Sequence, residues 1–68
     1  MKDILEVHED VLTAHVIIDR LMREYTKTGY SVEKTSMISF KLIFPDGYVC
    51  IFWENGRIYQ EIFEVEIA

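Results

Sequence analysis

The stretch Phe44-Pro45-Asp46-Gly47-Tyr48-Val49-Cys50-Ile51-Phe52-Trp53-Glu54-Asn55-Gly56-Arg57-Ile58-Tyr59 decides the fold. Two turn signals bracket a run of β-branched and aromatic residues. Asn55-Gly56 predicts a two-residue hairpin loop, because a type I′ turn needs positive φ at both central positions. Pro45-Asp46-Gly47 predicts a second hairpin: proline presets the first turn position and glycine takes the left-handed one. Hairpin turns fix register. Glu54 is then expected opposite Arg57, Trp53 opposite Ile58, Phe52 opposite Tyr59 and Cys50 opposite Glu61. A three-residue loop at 45–47 sets Phe40 opposite Phe52 and Leu42 opposite Cys50.

Outward from this stretch, alternating segments predict strands over residues 34–44, 48–54 and 57–67. On the N-terminal side, Asp3-Ile4-Leu5-Glu6 reads as a capping box, with Asp3 as N-cap and Glu6 three residues on. Apolar residues then recur at helical spacing through Ile4, His8, Val11, His15, Ile18, Met22 and Tyr25. Gly29 stands where a C-cap glycine belongs. The expected fold is α+β: one long N-terminal amphipathic helix over residues 3–28, packed on a three-stranded antiparallel β-meander, α-β-β-β in a single domain over residues 1–68.

This register makes both sheet faces apolar. One face is expected to hold Ile38, Phe40, Leu42, Phe44, Tyr48, Cys50, Phe52, Tyr59 and Phe63. The other holds Met37, Ile43, Val49, Ile51, Trp53, Ile58 and Ile62, diluted by Ser39, Lys41 and Gln60. A single helix covers one face, and monomers rarely expose a large apolar patch. A second chain is therefore expected on the other face, a homodimer being the economical choice, with an unknown protein as the alternative. The expected interface residues are Tyr48, Ile51, Phe52, Trp53 and Tyr59 of the sheet, with Ile18 and Met22 of the helix.

The chain has 68 residues, half of them apolar and 28% charged, a globular composition. The absence of a long apolar run argues against a membrane span. The acidic N-terminal segment does not resemble an export signal, and one cysteine makes no intrachain disulfide, so a reducing, cytoplasmic setting is expected. The net charge of −5 disfavours nucleic acid and anionic membranes. Asp3, Glu6, Glu9 and Asp10 near the helix start, and Arg20, Arg23 and Lys27 near its end, complement the helix dipole.

No residue set reads as an active site. His8 and His15 are seven residues apart, too far along one helix to share an ion, and His8-Glu9-Asp10-Val11-Leu12 lacks the second histidine of a zinc-protease motif. They are expected to be half-buried packing residues. Cys50 lies mid-strand, as an inert small hydrophobe. All three glycines serve turns or caps, leaving none for a phosphate cradle. Glu54, Glu61, Glu64 and Glu66 are read as protecting an edge strand. The expected function is a small acidic, non-enzymatic protein-interaction module that regulates or inhibits a partner, with no cofactor, metal or small-molecule substrate. The alternative is mimicry of nucleic acid by the acidic surface of Glu54, Glu61, Glu64 and Glu66, inhibiting a nucleic-acid-binding protein, as in phage or bacteria. The third reading is weak nucleic-acid binding at the basic end of the helix.

Overall fold

A computed structural model of the chain describes residues 2–65. The architecture is one helix on a five-stranded antiparallel sheet, in place of the expected α-β-β-β. The elements are β1 (Lys2–Val7), α1 (Val11–Lys27), β2 (Ser31–Ser36), β3 (Ser39–Phe44), β4 (Gly47–Glu54) and β5 (Arg57–Glu64). Their order across the sheet is β1-β5-β4-β3-β2. Four successive antiparallel pairings leave β1 and β2, the two edges, pointing the same way. The helix is the crossover that joins them.

The long helix of the sequence reading is two elements. Residues 2–7 are a strand paired with β5, with a register irregularity between Ile4 and Glu6. The true N-cap is Asp10, not Asp3. Its Oδ2 accepts from the Thr13 amide at 3.2 Å and from the Thr13 hydroxyl at 2.9 Å, satisfying a donor the first helical turn leaves unpaired. These two bonds, the hydroxyl first, hold the Asp10 carboxyl below the ordinary aspartate range. The apolar stripe misled because Ile4, His8 and Val11 match helical spacing by chance, across a strand and a connection.

The expected strand over 34–44 is likewise a hairpin, β2 and β3, turning at Met37-Ile38. No Gly, Pro or Asn marks this turn. Serine hydroxyls make it: Ile38 N–H donates to Ser36 Oγ at 3.1 Å, and Thr35 Oγ1 donates to Ser39 Oγ at 2.7 Å.

The Asn55-Gly56 turn is as expected, with φ of 48° and 81°. All four predicted β4–β5 pairs hold, including Trp53 opposite Ile58 and Cys50 opposite Glu61. The other hairpin is tighter than expected. Phe44 pairs with Gly47, so the loop is the two residues Pro45-Asp46, and Phe40 faces Ile51 rather than Phe52. A one-residue slip moves every side chain of a strand to the other face. Phe40, Leu42 and Phe44 therefore join Val49, Ile51, Trp53 and Ile58, while Ser39, Lys41 and Ile43 join Tyr48, Cys50, Phe52, Tyr59 and Phe63. Gly47 sits where this pairing is closest: a Cβ there would run into the Phe63 carbonyl oxygen.

The helix packs on the first of these faces, over β2, β3 and β4. Ile17, Ile18, Phe40, Leu42, Ile51 and Ile58 form the buried core, with Leu21, Met22, Tyr25, Val32, Val49 and Trp53 packed against it. The helix is held at one flank by Lys34 of β2, whose Nζ donates to Asp19 at 2.7 Å.

Candidate protein-contact face

With the helix on one side, the other side of the sheet is open. Because directly opposed residues share a face, the register assigns it to Ile43, Lys41 and Ser39 of β3, Tyr48, Cys50 and Phe52 of β4, Phe63, Glu61 and Tyr59 of β5, and Ile4 and Lys2 of β1. Two aromatic pairs stack on it. Tyr48 and Phe63 have centroids 4.9 Å apart, and Phe52 and Tyr59 5.5 Å apart. Lys41 Nζ lies 4.6 Å above the Tyr48 ring and Lys2 Nζ 4.9 Å above the Tyr59 ring, both within cation–π range. Among these, Ile4, Ile43 and Phe63 are exposed, and Tyr48, Phe52 and Tyr59 are half-buried against their neighbours. The face therefore carries an aromatic pair on either side of a central row that holds Lys41, Cys50 and Glu61.

The expected interface residues divide between the two sides. Tyr48, Phe52 and Tyr59 lie together on the open face. Ile18 and Ile51 are fully buried in the chain's own core, so they have no surface to offer a partner. Met22 packs against that core. Trp53 is half-buried on the helix side, and its indole N–H donates to the His8 carbonyl at 2.7 Å. With the His8 amide bound to Gly56 O at 2.8 Å, Trp53 fastens the β1–α1 connection to the sheet. The one-residue register slip is the physical reason these residues part company. Lys41 and Ile43, assigned from sequence to the opposite side, belong to the open face; a two-residue reading of the Pro45-Asp46 turn places them there. Ile4, assigned by helical spacing to the helix, and Lys2, which precedes it, join the face only because residues 2–7 pair with β5.

The acidic residues do not form one surface. Glu61 is central on the open face, and Glu54, at the end of β4, lies within 3.8 Å of Lys2. Glu64, paired with Gly47, points to the helix side, and Glu66 lies outside the described residues. Nor do they guard an edge, since β5 is flanked by β1 and β4. Arg20, Arg23 and Lys27 are exposed on the helix, across the sheet from the aromatic pairs.

His8 lies in the β1–α1 connection, not on the helix, with Nε2 3.0 Å from Glu6; His15 lies 3.3 Å from Asp19. Both are half-buried. Among the described residues, no three His, Cys, Asp or Glu side chains converge as a metal-binding set. Burial pushes the Cys50 thiol above its ordinary value, with Glu61 adding to the shift and Lys41 opposing it. A thiol so shifted is protonated at neutral pH and a poor nucleophile. No described helix is long and apolar enough to cross a membrane. No protein-family model, curated protein or solved structure matches the chain.

Proposed function

We propose that this chain is a non-enzymatic protein-contact module working in the reducing interior of the cell, and that the open sheet face is its contact surface. The observation that carries the reading is the pair of aromatic stacks, Tyr48–Phe63 and Phe52–Tyr59, on a face that no described element covers. Tyrosine and other large aromatics dominate interface energetics because they bury much surface at small entropic cost. Two features favour protein over nucleic acid as the contact. The exposed cations Arg20, Arg23 and Lys27 lie on the helix, away from the aromatic pairs. The open face itself carries Glu33 and Glu61 beside its lysines, where a phosphate backbone would be repelled.

Hydroxyl-radical footprinting tests the reading. The purified chain at high dilution is compared with the same chain in extract of its own cell. Tyr48, Phe52, Tyr59 and Phe63 are expected to be protected in extract, with Arg20, Arg23 and Leu12 unchanged. Protection confined to the helix, or none at all, refutes the open face as the contact surface.

A further inference from the structure

The ladder sets one residue from each strand side by side across the middle of the open face. Glu33 of β2 pairs with Lys41 of β3, Lys41 with Cys50 of β4, Cys50 with Glu61 of β5, and Glu61 with Lys2 of β1. The charges across this row run negative, positive, neutral, negative, positive. They invert about Cys50. One strand away stand Lys41 and Glu61; two strands away stand Glu33 and Lys2. Among the described residues, Lys41, Glu61 and Glu33 make no ion pair within the chain, and Lys2 reaches Glu54 only at 3.8 Å.

A row that reverses sign about its centre is complementary to its own image, turned about an axis along the central strand. We propose that the open face is covered by a second copy of this chain, with the twofold axis running along β4 over Cys50, so that Lys41 of each copy meets Glu61 of the other. Glu33 then faces Lys2 of the other copy. The charges also decide between axes. A twofold along the row, across the strands, sets each charge opposite its own kind, which is repulsive. The rows on either side fit the same axis. Ile43, Tyr48 and Phe63 form one, and Ser39, Phe52, Tyr59 and Ile4 the other. Turning them sets Ile43 against Phe63 and the small Ser39 against the large Tyr59. Three six-residue strands about 20 Å long and two eight-residue strands about 26 Å long, spaced about 4.8 Å apart, present roughly 500 Å² per copy. Two copies bury about 1,000 Å², the threshold at which a specific interface begins. The assembly is a four-layer sandwich with its helices outside.

This inference rests on the open face being a contact surface, and sedimentation velocity separates the two. The wild-type chain is expected to sediment as a dimer of twice 8.1 kDa. Lys41→Glu and Glu61→Lys, each checked for folding by circular dichroism, are each expected to raise the dimer Kd at least tenfold. Each puts like charges opposite one another twice per dimer. An equimolar mixture of the two variants is expected to recover the association, because every 41–61 contact is then of opposite sign. Isotope-filtered NOEs need no variant: Ile43 methyls of one wild-type copy are expected to contact the Phe63 ring of the other. A monomeric wild type, a mixture that stays dissociated, or tighter binding of Lys41→Glu to wild type than of wild type to itself overturns the proposal. If the wild type is a monomer while Tyr48 and Tyr59 are protected in extract, the occupant is a different protein and the contact reading stands.

Discussion

The two faces of the sheet are built from similar amounts of apolar side chain and meet opposite fates. Under the helix, Phe40, Ile51 and Ile58 are wholly buried, whereas Ile62 of β5, outside the strands the helix packs on, is 53% exposed. On the other side Ile43 and Phe63 remain 40% and 37% exposed, and charges sit in the middle of the face. The first pattern is that of an interior, where an unpaired charge is costly. The second is the pattern we propose for a contact surface, with a charged row between two aromatic ones. What separates them is the register of one strand.

Truncation should show the contrast at its largest. Phe40→Ala removes a fully buried ring and is expected to cost about 3–5 kcal/mol, against roughly 3–10 kcal/mol of total stability at this length. Phe52→Ala, the same truncation on the open face, removes a ring that is only partly buried and is expected to cost less, its stacking on Tyr59 contributing about 0.5–1.5 kcal/mol when the chain is dilute. Urea unfolding of both variants at low concentration reads the difference. Equal losses would mean that the two faces are not distinct.

A smaller effect is expected where the helix side is tied to the edge. Trp53→Phe keeps most of the packing but deletes the indole N–H that binds the His8 carbonyl. The expected cost is about 1 kcal/mol. Amide exchange should quicken at His8 and along β1 while the β3–β4 amides keep their protection. Uniform quickening would show that Trp53 supports the whole core and not the connection.

The smallest effect concerns the helix flank. The Lys34 hydrogen bond is the main influence holding the Asp19 carboxyl below its ordinary value of 3.8, with the charges of Lys34, His15 and Arg23 helping. A carboxyl depressed in the folded state binds fewer protons there than in the unfolded chain. Its contribution is therefore complete above about pH 3.8 and is lost as pH falls through the lowered folded value. The Tm advantage of wild type over Asp19→Asn should shrink as pH falls below about 4. An advantage unchanged down to pH 2 would detach Asp19 from the acid limb.

Sequence alone determined what local chemistry dictates. Asn55-Gly56 demands positive φ twice, so the β4–β5 hairpin and its four expected pairs were legible, as was the aromatic content of Tyr48, Phe52 and Tyr59. The helix from Val11 onward was legible from its period. The strand β1 was not, because six residues paired with a distant segment carry no local mark and their apolar positions fit a helix equally well. The Met37-Ile38 turn was not, because its serine hydroxyls leave no Gly or Pro to read. The decisive choice, whether Pro45-Asp46-Gly47 closes over two residues or three, lay with the tertiary structure. Strand side chains alternate with period two, so that single residue decided which of Phe40 and Lys41 met the helix. Packing made the choice: only one register buries Phe40 and Leu42 with Ile51 and leaves Lys41 and Glu61 outside the core.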